Sequence, residues 1–327
     1  MTEPLPDFRV TRPRDVPAAL AARRDLPNSR YLAGGTDLIV NLRRGLHKPE
    51  HLIDLSGIAE LSTVSSESAG LRIGAGVTIA ALARHPLLAG RYRALAQAAA
   101  GIAAPGHRTL GTVGGNLCLD TRCIYYNQSE WWRKANDYCL KRDGVICHVA
   151  PEGRRCHAAF TGDLAPAMLV LGAEAEIAGT QGRRRIPLGA LYQEDGRAHL
   201  TLDADEILVA VHLPANPPPS SYDKLRLRGA IDYPLAGVAV SLDAADGVVR
   251  ELRVAVTGTN SRPFLLAGTD ALRGRAIDDK LAQEMERLLL SQVKPMRTTV
   301  ASAHYRRLAA GAIARRLLAA LAAGGPL

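Results

Sequence analysis

All five cysteines of this 327-residue chain lie between positions 118 and 156. Their spacing is Cys118-x4-Cys123-x15-Cys139-x7-Cys147-x8-Cys156. Thiolates are soft ligands, so such a cluster points to iron–sulfur or zinc chemistry. The spacing contains no Cys-x2-Cys knuckle of the kind structural zinc favours, and it does not match the compact run of bacterial ferredoxins. Iron, zinc and unmetallated thiols therefore all stay open on spacing alone. His148 and His157 each follow a cysteine directly and read as neighbours of the site or as solvent-facing side chains. The two tryptophans, Trp131 and Trp132, share the stretch with Tyr125, Tyr126 and Tyr138. With Tyr125 and Tyr126 they predict an aromatic cover that keeps water from whatever the thiols bind.

Two glycine-rich loops are the other chemistry-bearing features. The first is Tyr31-Leu32-Ala33-Gly34-Gly35-Thr36-Asp37-Leu38, and the second is Gly111-Thr112-Val113-Gly114-Gly115-Asn116-Leu117, ending just before Cys118. Glycine lets backbone amides approach a ligand with no Cβ between them. Successive N–H groups in such a turn form a concave nest for an anion such as pyrophosphate. Thr36 and Asp37 stand where a helix would begin, which predicts capping and a favourable dipole. Either loop alone reads equally well as a tight turn. Together they suit a long ligand with two phosphates, held from both sides. The run Gly74-Ala75-Gly76-Val77-Thr78-Ile79 lacks the third glycine and the later acidic residue of a dinucleotide fingerprint. There is no Gly-Lys-Ser/Thr phosphate loop, no nucleophile–His–acid constellation and no His-Glu-x-x-His motif, so catalysis falls to bound cofactors.

The elements that must position these residues follow from length and pattern. A chain of this size is expected to form two or three domains, and 47% hydrophobic residues supply enough apolar surface for their cores. The net charge of +9 is spread along the sequence. Groups such as Arg183-Arg184-Arg185 and Arg315-Arg316 read as solvated faces or subunit contacts, and no nucleic-acid signature is evident. The opening residues include Glu3, Pro4, Pro6 and Asp7 rather than an apolar run, and no stretch reaches membrane-spanning length. The expectation is a cytoplasmic chain with reduced thiols.

Strands are predicted at 51–55 and 71–73 with a serine-rich turn at 62–68 between them, and helices at 16–24, 78–83 and 91–103. Beyond the cysteines come a helix at 164–171 and strands at 173–178 and 207–213. Residues 214–220 form the clearest linker. After it, 221–228, 236–242 and 248–256 alternate as an antiparallel sheet, with Asp246-Gly247 as a hairpin turn. Helices at 278–292 and 299–323 close the chain. In the last, Val300, Ala303, Leu308, Ala312 and Leu317 are expected to share the buried face, with Arg306, Arg307, Arg315 and Arg316 elsewhere.

The segments Ala33-Gly34-Gly35-Thr36-Asp37-Leu38 and Thr112-Val113-Gly114-Gly115-Asn116-Leu117 resemble the two FAD loops of the flavoprotein subunits of the molybdenum hydroxylases, the family of xanthine dehydrogenase and carbon monoxide dehydrogenase. The similarity continues through Asp163-Leu164-Ala165-Pro166, Asp205-Glu206-Ile207-Leu208 and Ser261-Arg262-Pro263 into the C-terminal helices, so it covers nearly the whole chain. The resemblance implies an α+β fold. Its N-terminal part, 1–216, would be a two-subdomain FAD-binding domain of the PCMH/VAO type, divided into 1–55 and 56–216, with a cysteine-rich insertion at 118–161. Residues 221–327 would form a small antiparallel sheet and a helix bundle.

The resemblance also implies non-covalent FAD. The pyrophosphate would rest on Ala33, Gly34, Gly35, Thr36 and Asp37 in one loop and on Thr112, Val113, Gly114, Gly115 and Asn116 in the other, with Tyr31 and Leu32 also contacting the cofactor. Asp163, Leu208 and Lys224 would approach the flavin or its ribityl chain, Lys224 stabilising the negative charge of the reduced ring. Ile102 would lie against the adenine or the flavin.

Ordinary members pass from Gly-Gly-Asn-Leu to the position of Asp163 in a short stretch, whereas here the cysteines fill a longer one. That stretch resembles the insertion of a reductive branch of the family, which acts on an aromatic acyl-CoA and carries an added [4Fe–4S] cluster. The resemblance assigns Cys123, Cys139, Cys147 and Cys156 as ligands and leaves Cys118, still within the flavin-loop framework, either as a small buried residue or near the flavin. It implies a molybdopterin-binding large subunit, a small subunit with two [2Fe–2S] clusters and reduced ferredoxin as donor, in a dimer of heterotrimers. Electrons would then run inward, toward molybdenum. The competing expectations are an ordinary member with outward electron flow and a structural zinc, and a flavin-free scaffold.

Overall fold

The computed structural model describes residues 4–88 and 90–324. Three sheets follow one another along the chain. The first is parallel, with β1 (Arg9–Thr11) and β2 (Ser29–Leu32) on either side of β3 (His51–Asp54). Parallel neighbours need crossovers, and helices α1 (Val16–Asp25) and α2 (Leu38–Arg43) supply them. Helix α1 starts where Asp15 accepts a hydrogen bond from the Ala18 amide at 2.8 Å, with proline in its first turn.

The second sheet is antiparallel, in the order β4 (Val64–Glu67), β5 (Gly70–Gly74), β8 (Ile207–Pro214), β6 (Glu174–Gly179), β7 (Gly182–Pro187). Strand β8 lies at its centre and is buried on both faces, which is why its sequence is continuously apolar rather than alternating. Between β5 and β6 run α3 (Ile79–Ala83), α4 (Arg93–Gly101), α5 (Pro105–Arg108), α6 (Val113–Leu117), α7 (Glu130–Ala135) and α8 (Leu164–Val170). Every residue of α8 is buried, and it packs on the third sheet as well as on α4.

That third sheet is antiparallel, β9 (Ser220–Leu225), β10 (Ala236–Ala245), β11 (Val248–Thr257) and β12 (Phe264–Leu265). Asp246 and Gly247, at φ +53° and +72°, form the β10–β11 turn, whose left-handed backbone suits this residue pair. Helices α9 (Asp279–Gln292) and α10 (Ala303–Ala322) complete the fold. No helix among the described residues is long and apolar enough to cross a membrane.

Several expectations need correction. The serine-rich stretch contains the edge strand β4, because a hairpin arm at a sheet edge buries little and carries no apolar signature. Arg183, Arg184 and Arg185 are exposed, as expected of a solvated face, but they lie on an unpredicted second edge strand, β7, where Arg183 and Arg184 pair with Glu60, Glu176 and Glu206. Helix α10 packs on β9 and β10 of the third sheet and α9 packs on α10, so the two helices share one apolar core with the sheet rather than forming a separate bundle. The buried face of α10 is Ala310, Ile313, Ala314, Leu317 and Leu318. Val300 and Leu308 are exposed, and Arg306 is fully buried. An alanine-rich helix offers apolar spacing on more than one side, and the packing partner selects the face.

Candidate functional site

The two glycine loops meet backbone to backbone. A Cβ on Gly34 would lie 1.8 Å from the Leu110 carbonyl oxygen and 2.9 Å from the Gly111 nitrogen. Gly35 has φ +69°, the left-handed region that glycine occupies without strain. On the other side, a Cβ on Gly111 would touch Thr36 Oγ1 at 3.5 Å. The second loop is anchored beneath by β5 and α3, through Gly114 N to Ala75 O at 2.7 Å and Ile79 N to Gly111 O at 2.8 Å. Thr112 caps α6 by accepting from the Gly115 amide at 3.1 Å.

Asp37 does not cap α2 as expected. Its carboxylate pairs instead with the Arg122 guanidinium and accepts from Asn41 Nδ2 at 2.9 Å and Tyr233 Oη at 3.3 Å. The Arg122 guanidinium also donates to Asn41 Oδ1 at 2.9 Å and lies 5.7 Å from the centre of the Tyr233 ring. An acidic side chain consumed by a cation from a distant segment is not available to its own helix end.

Asp163 and Lys224 form a buried pair, with Nζ 2.6 Å from Oδ1, and Tyr222 Oη donates to the same oxygen at 2.8 Å. Burial pushes the Asp163 carboxyl up, against the lowering effect of Lys224 and Tyr222. Ile102 ends α4 directly after Gly101, whose Cβ position lies 3.8 Å from Lys224 Cε. Asn116 Oδ1 accepts from the Leu164 amide at 3.0 Å and so ties the second glycine loop to the helix that Asp163 precedes. The structure thus links both loops, Ile102, Asp163 and Lys224 through one set of contacts. Leu208 stands apart from these polar contacts, in the core opposite Ile177. The Tyr31 ring packs toward α1 and β8, so its backbone, not its side chain, belongs to the first loop's surface. Sequence reasoning missed Arg122, Tyr222 and Tyr233, whose roles come from contacts across more than 50 residues.

The cysteine stretch departs from the core and returns to it at one neck. Arg122 and Ala159 exchange backbone hydrogen bonds of 2.7 and 2.8 Å. Between them the only helix is α7. The stretch is tied down by Ile124 N to Thr298 O at 2.9 Å and by the buried Arg133 guanidinium, which donates to Arg44 O at 3.1 Å. Cys123, Cys139, Cys147 and Cys156 are all buried and free, and together they line one cavity. Cys118 is not among its walls. It packs against the main core near Tyr192, and burial pushes its thiol up to about 12. Burial likewise raises Cys123 to about 11. A hydrogen bond with Cys156 pulls Cys147 down and Cys156 up. Among the described residues, no three His, Cys, Asp or Glu side chains form a group that could hold a single metal ion as it stands.

The aromatic cover is smaller than expected. Trp131 is 76% exposed and covers nothing. Trp132 leans on Tyr125, which stacks on His148 with ring centres 5.0 Å apart. Tyr125, Tyr126 and His148 line the thiol cavity. A short helix can turn only one of two adjacent tryptophans inward.

Comparison with known proteins identifies this architecture. Residues 6–216 match the family described as FAD binding domain in molybdopterin dehydrogenase, and residues 220–321 match the CO dehydrogenase flavoprotein C-terminal domain. The chain is 33% identical over 275 residues to the aldehyde oxidoreductase FAD-binding subunit PaoB of Escherichia coli, covering 80% of this chain and 84% of that protein. It is 27% identical over 319 residues to the carbon monoxide dehydrogenase medium chain of Hydrogenophaga pseudoflava, covering 96% of each. A solved carbon monoxide dehydrogenase from that organism, lacking the Mo-pyranopterin moiety of its cofactor, has the same fold, with a TM-score of 0.81 at 24% identity over 99% of this chain and 100% of that one. This chain belongs to the family of FAD-binding subunits of the molybdenum hydroxylases. It is an oxidoreductase subunit with an FAD-binding domain.

Proposed function

We propose that this chain is the flavin and iron–sulfur subunit, the beta subunit, of a 4-hydroxybenzoyl-CoA reductase. It would pass electrons from reduced ferredoxin to the [2Fe–2S] and molybdenum subunits for reductive dehydroxylation of the thioester to benzoyl-CoA. The observation that carries this reading is the convergence of Cys123, Cys139, Cys147 and Cys156 on one cavity. A [4Fe–4S] cluster takes one thiolate at each of four separated corners, whereas zinc needs its ligands at one point. Four buried thiols around one cavity supply the number of ligands such a cluster takes.

FAD, when bound, exchanges one or two electrons and so joins one-electron carriers to two-electron chemistry. Residues 33–37 and 112–116 would hold its pyrophosphate, with Tyr31 and Leu32 also against the cofactor, since the loops they form expose backbone where side chains would collide. The buried Lys224 ammonium would face negative charge developing on the ring, with Asp163 and Tyr222 fixing its position. Ile102 would supply an apolar contact. Leu208 would contribute from beneath, as part of the core that supports the ring. Asn116 would hold the second loop to the start of α8. The domain limits we propose are 1–216, with 118–161 as the insertion, and 221–327. The acyl-CoA site would lie on the molybdopterin subunit.

A second reading has its own support. The relatives described above are named as an aldehyde oxidoreductase subunit and a carbon monoxide dehydrogenase chain, which favours a hydroxylase with outward electron flow. Metal, acid-labile sulfide and flavin analysis of the anaerobically purified complex separates the two. The reductase reading expects about four irons and four sulfides in this chain beside one FAD. Equimolar zinc in the chain without iron would overturn it and leave the second.

A further inference from the structure

One charged side chain in the wall of the thiol cavity is unlike the rest. Lys141 lines the cavity together with the four cysteines. Its side chain is only 5% exposed, and its ammonium is held on several sides. Nζ donates to Asp120 Oδ1 at 2.6 Å, to Gly196 O at 2.9 Å, to Thr121 O at 3.2 Å, and to Thr121 Oγ1. It also lies 4.6 Å from the centre of the Tyr126 ring, a cation–π contact with another wall residue. Asp120 is not a wall residue. Its other carboxylate oxygen accepts from Tyr126 Oη at 3.0 Å. The pair thus brings a buried cation into the layer of residues that walls the cavity, while its carboxylate partner lies outside that wall.

A buried lysine carries a desolvation cost that an apolar residue at the same place would avoid. The fold could have anchored residues 120–121 to Gly196 without a charge, because Thr121 Oγ1 already donates to Gly196 O at 2.5 Å. The charge itself is the feature to be explained. Adding one electron to a thiolate-bound cluster adds one negative charge to a site already rich in thiolate. A fixed cation at the wall favours the reduced form, through an effective dielectric of about 20 rather than that of water. Charge near the site and solvent exposure are the protein's means of setting a cluster potential.

We propose that Lys141, oriented by Asp120, is the residue that sets the reduction potential of the metal cluster bound by Cys123, Cys139, Cys147 and Cys156. This rests on the cluster assigned under the proposed function. Lys141 is a tuning residue, and no ligand role is assigned to it.

The test is a mediated redox titration of the anaerobic complex, followed by electron paramagnetic resonance of the reduced cluster, on Lys141→Met, Lys141→Arg and Asp120→Asn. Removing the cation in Lys141→Met should lower the reduced-to-oxidised ratio at a fixed poise at least tenfold, which is 59 mV for a one-electron couple. Lys141→Arg keeps the charge and should stay within about threefold of the parent. Asp120→Asn removes the negative end of the pair and should shift the ratio the opposite way, toward reduced. Opposite signs from two halves of one ion pair are not produced by simple loss of packing. If Lys141→Met assembles too little cluster to measure, Asp120→Asn and Lys141→Arg still decide the matter. An unchanged potential in iron-replete Lys141→Met, or a shift of Asp120→Asn in the same direction, would overturn the proposal. A parent complex without iron in this chain would instead overturn the cluster assignment itself.

Discussion

Replacing Gly34 by alanine is the sharpest perturbation the geometry offers. The added Cβ would stand 1.8 Å from the Leu110 carbonyl oxygen and 2.5 Å from its carbon, where ordinary contact begins at 3.4 Å. Both partners are backbone, so no side chain can rotate aside. Leu110 and Gly111 are themselves pinned, by Gly111 N to His107 O at 2.7 Å and Ile79 N to Gly111 O at 2.8 Å. The two glycine loops must therefore separate by more than an ångström. Overpacking of this kind costs about 1–3 kcal/mol. If the two loops must meet to hold FAD, that cost appears in flavin affinity as a loss of roughly 5- to 150-fold, at about 1.4 kcal/mol per tenfold. Flavin retained after dialysis, and fluorescence titration of the apoprotein with FAD, measure it directly. Gly106→Ala is the matched control, since nothing lies within 4 Å of its Cβ position and its φ is unexceptional. It should bind FAD normally. A Gly34→Ala protein with the parent's FAD affinity would refute the claim that these loops jointly form the site.

Three further outcomes are expected. Cys123→Ser should lose most of the iron while keeping FAD, whereas Cys118→Ser, outside the cavity, should keep both; metal and flavin analysis of each decides. Arg306→Met should destabilise the chain by at least about 3 kcal/mol in urea unfolding, because the fully buried guanidinium donates to Leu235 O, Met296 O and Gly258 O, and each orphaned acceptor costs about 1–3 kcal/mol. Burial alone would raise the Glu176 carboxyl, but hydrogen bonds from His212 and Arg183 hold it below its ordinary value of 4.5. The native state then binds fewer protons than the unfolded chain, so this contribution is present above about pH 4.5 and is lost as pH falls through the lowered value. Glu176→Gln should flatten the acid limb of a stability-against-pH curve, and an unaltered limb would count against the assignment.

Much of the molecule is written in local pattern. The continuous apolar run of β8, the glycine at the β10–β11 turn and the confinement of every cysteine to one stretch follow from residue type and spacing. They are readable because burial on both faces, left-handed backbone and thiol chemistry are each properties of short segments. What stayed hidden depends on partners far away in sequence. Asp37 looked like a helix cap until Arg122, 85 positions on, took its carboxylate. Arg306 looked like a solvent-facing arginine until Leu235 and Gly258 surrounded it. The edge strands β4 and β7 carried no signal because an exposed edge places no demand on side-chain polarity. The sequence alone determined that thiols cluster and that two glycine loops exist. Only the tertiary structure decided that the loops touch, that four thiols share a cavity while Cys118 does not, and that a buried lysine paired with Asp120 lines the same cavity. Periodicity reports which side of a segment is buried, and only packing chooses what it is buried against.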